Sequence, residues 1–177
     1  MHTTTATTTA TQPAWARDVA IAAVGPAALG LCSGWAFGGT APITMAALVP
    51  LAFLIVAIVT LPGLYVGSTL LGASIDLKAT ARLSVQAGRD LGVIFLGLAP
   101  ALLFLSATAT DQHEAIVLGL GAALMGAAVG IRAFYSRLRE VEGGYGLLAA
   151  FAVWALLGLV LGTEIYMEML RIGGGLP

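Results

Sequence analysis

Five apolar runs, at residues 19–37, 42–61, 91–107, 115–131 and 144–162, contain no Asp, Glu, Lys or Arg. A run of about 20 such residues matches the hydrocarbon thickness of a bilayer, where backbone groups find no water and must bond within their own helix. Five of them in 177 residues exclude a soluble globular domain. The composition agrees: 59% hydrophobic and 10% charged residues, with a mean hydropathy of +0.96, against about 25% charged residues in soluble domains. The predicted fold is therefore all-α, a polytopic helical membrane bundle of four to five transmembrane helices. The count stays open because Gly25-Pro26 breaks the first run, which is either a span or an interfacial or re-entrant segment. In the second run Pro50 predicts a kink and Pro62 a stop, and the third carries Pro100 near its middle.

The opening "MHTTTATTTATQPAWA", residues 1–16, is Thr-rich and lacks the basic start and apolar core of a secretory signal. It reads as a retained polar tail with His2 as a surface residue. The bundle occupies residues 17–172, followed by a short tail at 173–177. Cytoplasmic loops are enriched in Lys and Arg. With five crossings, one side receives Arg17, Lys78, Arg82, Arg89, Arg132, Arg137 and Arg139, and the other receives only Arg171. This asymmetry predicts a bacterial inner (cytoplasmic) membrane protein with a cytoplasmic N-terminus and an outer C-terminus. Outer loops fall near residues 38–41 and 108–114. If the first run does not cross, only the N-terminus and Arg17 change sides.

"IDLKATARLSVQA", residues 75–87, alternates apolar and polar side chains as a half-buried strand does. It has no second alternating stretch to pair with, and its Ala, Leu, Lys, Arg and Gln content favours helix. The expectation is a cytoplasmic helix capped near Ser74 or Asp76 that continues into the third span. Lys78, Arg82 and Arg89, with Arg132, Arg137 and Arg139, form a basic cytoplasmic face near anionic headgroups. Docking of a cytoplasmic partner is the alternative use of that face.

The fourth run aligns Gly119, Ala122, Ala123, Gly126, Ala127 and Gly130 on one broad side. Lipid gives helices no hydrophobic reason to associate, so small residues that allow close backbone approach mark packing faces. Gly126, Gly130 and Ala123 are the predicted helix-packing residues, and their neighbour is either in this chain or in a second copy. The closing "GTEIYMEMLRIGGGLP" stacks Glu164 and Glu168 one turn apart. In one reading the fifth helix surfaces here: Tyr166 lies at the headgroups, both acids reach water, and Arg171 pairs with Glu168. In the other, Glu164 faces the bundle interior as an ion or proton site. About 20 residues from Gly144 at a 1.5 Å rise reach the outer boundary of the bilayer, which favours the first.

Catalytic and metal chemistry find little support. A single cysteine, Cys32, excludes an internal disulfide and any multi-cysteine site and reads as a small apolar filler. The loop "DQHE", residues 111–114, has only one histidine, too few donors for a metal site. No Ser/His/Asp set, phosphate-cradling Gly loop or intramembrane histidine pair is present in the sequence. No catalytic, cofactor-binding or metal-binding residues are therefore predicted. The expected function is a non-enzymatic scaffold or accessory subunit of a membrane assembly. Its partners are membrane lipids and either other membrane subunits or further copies of itself, with no nucleic acid. The alternative is a small channel or transporter using Glu164 and the Pro-interrupted helices. The lack of charge within any run favours the scaffold.

The stretches "LPGLYVGSTLLG" (61–72) and "GLAPALLFLSAT" (97–108), with the Gly- and Ala-rich fourth run ending "GIRAF", resemble small bacterial multi-pass proteins distantly similar to the Yip family. The resemblance covers about residues 25–172 and includes the closing "WALLGLVLGTEIYMEMLR". It implies a helical membrane bundle with no catalytic role, in a group that organises membranes and binds partners. Glu164 and Glu168 depart from it, since glutamine or apolar residues are expected there.

Overall fold

A computed structural model of the chain describes residues 14–72, 76–109, 111–141 and 145–174. Residues 1–13 of the Thr-rich tail with His2, the candidate cap Ser74 and the last three residues lie outside that set, whereas Ala14, Trp15 and Ala16, read as the end of the tail, begin the first helix. The described elements are five α-helices: α1 (Ala14–Trp35), α2 (Ala41–Leu70), α3 (Leu77–Thr108), α4 (Gln112–Val141) and α5 (Tyr145–Gly174). Each is long and apolar enough to cross a membrane, so the protein is a polytopic helical bundle with five candidate spans.

The two places where proline argued against a helix are both helical. α1 runs unbroken for 22 residues with Pro26 inside. Pro26 is almost fully buried, and its neighbour Gly25 lies directly on the Gly92 backbone of α3. A proline lacking its hydrogen bond is tolerated where neighbouring helices hold the backbone in place. α2 passes through both Pro50 and Pro62 and continues to Leu70, so Pro62 is not the predicted stop. Ending a helix in apolar surroundings leaves backbone groups without partners, and that outweighs the one bond a proline removes. The real stop is Gly72, whose φ of +86° favours glycine. Between α1 and α2 the chain reverses at Gly38 and Gly39, with φ of +68° and +56°.

From Leu77 onward the alternating stretch joins the third run in a single 32-residue helix, α3, with Asp76 as its N-cap residue. Thr80 and Ala87 are buried, while Lys78 and Arg82 are exposed, which is a helical pattern of burial. α5 likewise outruns its apolar segment and continues to Gly174.

Around the bundle the helices follow the order α5, α2, α1, α3, α4, with α4 and α5 meeting only sparsely. One apolar cluster draws on all five helices, including Leu29, Cys32, Met45, Val49, Phe95, Leu102, Tyr166 and Leu170. Phe53 and Phe95 meet edge to face within it, with centroids 5.7 Å apart. A second cluster, built from Leu64, Ala87, Phe134, Leu138, Leu147 and Phe151, belongs to α2 through α5. The molecule thus has a five-helix tier and a four-helix tier. Helices of 30 to 32 residues are roughly 45 to 48 Å long, more than the ~30 Å hydrocarbon core. Part of the bundle therefore stands clear of the lipid.

Candidate functional site: the charged ends of the bundle

Charged residues gather at the two ends of the bundle. At one end Arg17, Lys78, Arg82, Arg132 and Arg139 are exposed. Arg89 and Arg137, predicted as part of the same face, are instead joined in a network. Arg89 donates from Nη1 to Asp18 Oδ1 at 3.4 Å, and from Nε and Nη2 to Asp90 Oδ1 at 3.2 and 3.1 Å. Arg137 Nη2 pairs with the second oxygen of Asp90. The four side chains tie α1, α3 and α4 together at one level. Their exposures, from 15% for Asp18 to 35% for Arg89, place them between a surface pair and a buried one. Removing one partner at such a site leaves a half-desolvated charge uncompensated.

Asp18 and Asp90 are members of this network that sequence reasoning missed. A signal existed: each closes an Arg-Asp pair, Arg17-Asp18 and Arg89-Asp90, at the mouth of an apolar run. What joins them is a contact across 71 residues of sequence, which no local pattern displays.

Two of the predicted packing residues, Gly126 and Gly130, meet α3 of the same chain. A Cβ at Gly126 would run into the Phe95 ring, and one at Gly130 would lie 2.8 Å from Leu91 Cδ1. Ala123 is half-buried against the five-helix cluster. Gly121 faces open space. Closer contacts occur at glycines that had read only as helix breakers or had gone unnoticed. Gly25 and Gly92 bring α1 and α3 backbone to backbone, Gly30 lies on the Met45 carbonyl, and Gly34 lies against Ala41 and Pro42. Cys32 adds a link by donating to the Ala99 carbonyl at 3.4 Å.

On α5 Glu164 and Glu168 are exposed, and nearer the opposite end Arg171 Nη1 lies 3.1 Å from Glu168 Oε2. Tyr166 is not a headgroup anchor. It is 7% exposed, and its hydroxyl fills the space beside Gly119, next to Ser33 of α1. The reason is angular: Tyr166, Met169 and Leu170 form the buried side of α5, whereas Glu164 and Glu168 project from the other side. In the DQHE loop Asp111 Oδ1 accepts a hydrogen bond from the Glu114 N–H at 2.7 Å, so the acid serves as a cap for α4. Among the described residues no three His, Cys, Asp or Glu side chains converge on a common point.

No protein-family model, curated protein or solved structure matches this chain.

Proposed function

We propose that the protein is a non-enzymatic subunit or scaffold of a membrane assembly, similar in kind to the Yip-like group that its sequence resembles. Its place is a bacterial cytoplasmic membrane, with the N-terminus and the basic end in the cytoplasm. One observation carries this reading: the interior is filled with apolar side chains while the charges lie on the outside and at the ends. Leu29, Met45, Val49, Leu64, Phe95, Leu138 and Leu170 are each less than 2% exposed, and they run through both tiers. Among the described residues no Asp, Glu, Lys or Arg is fully buried, and the buried polar side chains are hydroxyls such as those of Ser33, Thr60, Ser68, Thr80 and Ser106. Glu164, on which a conduction pathway would depend, is on the outer side of α5. What the chain does present is surface: apolar side chains toward lipid or protein, and exposed Arg17, Lys78, Arg82, Arg132 and Arg139 toward anionic headgroups or an acidic partner.

Native mass spectrometry of the chain extracted in mild detergent tests the proposal. The expected spectrum contains this chain with companion subunits or further copies of itself. A lone chain with lipid only, joined by ion flux in reconstituted liposomes, would contradict it.

A further inference from the structure

The acids of α5 lie deeper in the bundle than the sequence of α5 implies. Counted from Tyr145, Glu164 is nineteen residues along, roughly 28 Å and nearly a full hydrocarbon thickness. The starting point of that count is the difficulty, because α5 begins well beyond the level at which its neighbours turn basic. Gly146 lies against the Leu71 carbonyl and Gly67 faces Ala150. This antiparallel register sets Glu164 opposite Phe53, twelve residues or roughly 18 Å from the start of α2 at Ala41. α4 gives an independent measure. Phe134 packs on Phe151 at 5.7 Å and on Trp154 at 5.2 Å, and the Tyr166 hydroxyl sits beside Gly119. These pairs set Glu164 opposite residues 121–123, about ten residues or roughly 15 Å from the start of α4 at Gln112.

The basic end fixes the other boundary of the lipid. Arg132 is exposed on α4, and the contact between Gly130 and Leu91 brings Arg89 and Asp90 to the same level. From Arg132 back to Gln112 is twenty residues, roughly 30 Å, one hydrocarbon thickness. Over that interval α3 and α4 expose Val93, Phe104, Val117, Leu124 and Met125, whereas beyond it α4 exposes Ser136, Arg139 and Glu140. Lipid therefore fills the interval, and Glu164 falls near its middle on the outside of the bundle. Sliding the bilayer toward Tyr145 would free Glu164 but draw Arg132 and the four-residue network into hydrocarbon, which is the greater penalty.

At that depth a carboxylate needs a counter-charge. Arg171 is committed to Glu168, and the other seven Lys and Arg residues belong to the opposite end. Leu156, Leu157, Val160 and Met167 are exposed along the same side of α5, so Glu164 stands without a counter-charge in an apolar stripe that ends in the Glu168–Arg171 pair. We propose that this side of α5 docks a transmembrane helix of a different protein, one that carries a lysine or arginine at mid-membrane depth. Charge complementarity selects that occupant. A second copy related by a two-fold axis through this face would set Glu164 against Glu164. The inference rests on the subunit reading above and names the chemistry of the partner.

The probe is a labelled leucine-rich transmembrane peptide with one central lysine, compared with its all-leucine twin, in phosphatidylcholine vesicles containing the full chain. Energy transfer should show the lysine peptide associating roughly tenfold more tightly than the twin. Glu164→Leu should remove that preference and Glu168→Leu should keep it, with circular dichroism unchanged in both. A nitroxide attached to Glu164→Cys in a Cys32→Ala background should report mid-membrane depth by its oxygen and nickel accessibilities. Headgroup depth, equal binding of the two peptides, or a preference that survives Glu164→Leu would each overturn the proposal. Self-association of the wild type that Glu164→Leu abolishes would replace it with a homodimer. The peptide measurement does not involve native companions, so its failure would leave the mass-spectrometric test of the subunit reading standing.

Discussion

Gly92→Ala strikes one of the closest helix contacts among the described residues. The added methyl group would collide with the Ile21 carbonyl oxygen and sit 2.9 Å from its carbon and 3.3 Å from Ala22 Cα. These are backbone atoms of α1, so no side-chain rotation makes room and the two helices must move apart. Overpacking of this kind costs about 1–3 kcal/mol. Alanine's helix preference over glycine returns about 1 kcal/mol, leaving a net loss of up to about 2 kcal/mol. The same separation strains two other links between α1 and α3, from Cys32 to Ala99 and from Arg89 to Asp18. Cys32 also provides the assay: it is the only cysteine, 3% exposed, and reacts with a fluorogenic thiol dye only as the bundle opens. Gly97→Ala is the control, on the same helix with nothing near its Cβ position. In detergent melts Gly92→Ala should unfold several degrees lower than wild type, and Gly97→Ala at or above it. Equal melting of the two variants would refute the contact.

Gly126→Leu should lower thermal stability by about 1–3 kcal/mol, because the new side chain meets the buried Phe95 ring, whereas Gly121→Leu enters open space and should melt near wild type. Asp90→Ala strips a partner from both Arg89 and Arg137 and should destabilise by about 1–2 kcal/mol, its 27% exposure screening part of a buried pair's value. Lys78→Ala, at an exposed site, should leave the melt unchanged. Gly119→Ala should cost more than Tyr166→Phe, since the methyl displaces the Tyr166 hydroxyl from its place while the phenylalanine only removes it. The same thiol-dye melts read all three comparisons.

The course of the helices was legible, with the count open between four and five, because lipid imposes a simple rule: an apolar run must bond its own backbone. That rule carried α3 through the alternating stretch at 75–87 and marked Gly126 and Gly130 as packing positions. It was underused at Pro26 and Pro62, where a proline signal learned from water-exposed helices outweighed it. The interior side of α5 was not legible. A helix 30 residues long with apolar side chains all around it gives no periodic cue to which side is buried, so its sequence does not reveal that Tyr166 faces inward. The depth of α5 relative to its neighbours calls on a related kind of contact. Counting from Gly144 assumes that every helix enters the lipid at its own first residue, and only contacts such as Gly146 with Leu71 reveal the offset. The Asp18–Arg89–Asp90–Arg137 network needed the topology first, because its members are remote in sequence and two of them had read as free basic residues.

Everything proposed for the two ends depends on five crossings with the basic tier inside. In a Cys32→Ala background, Ala109→Cys lies after α3 at the acidic end, and Ser136→Cys is exposed on α4 beyond Arg132. An impermeant thiol reagent added to intact cells should label Ala109→Cys and spare Ser136→Cys until the membrane is opened. Labelling of Ser136→Cys alone in intact cells would invert the orientation, and labelling of both would contradict the bundle as a membrane-spanning unit.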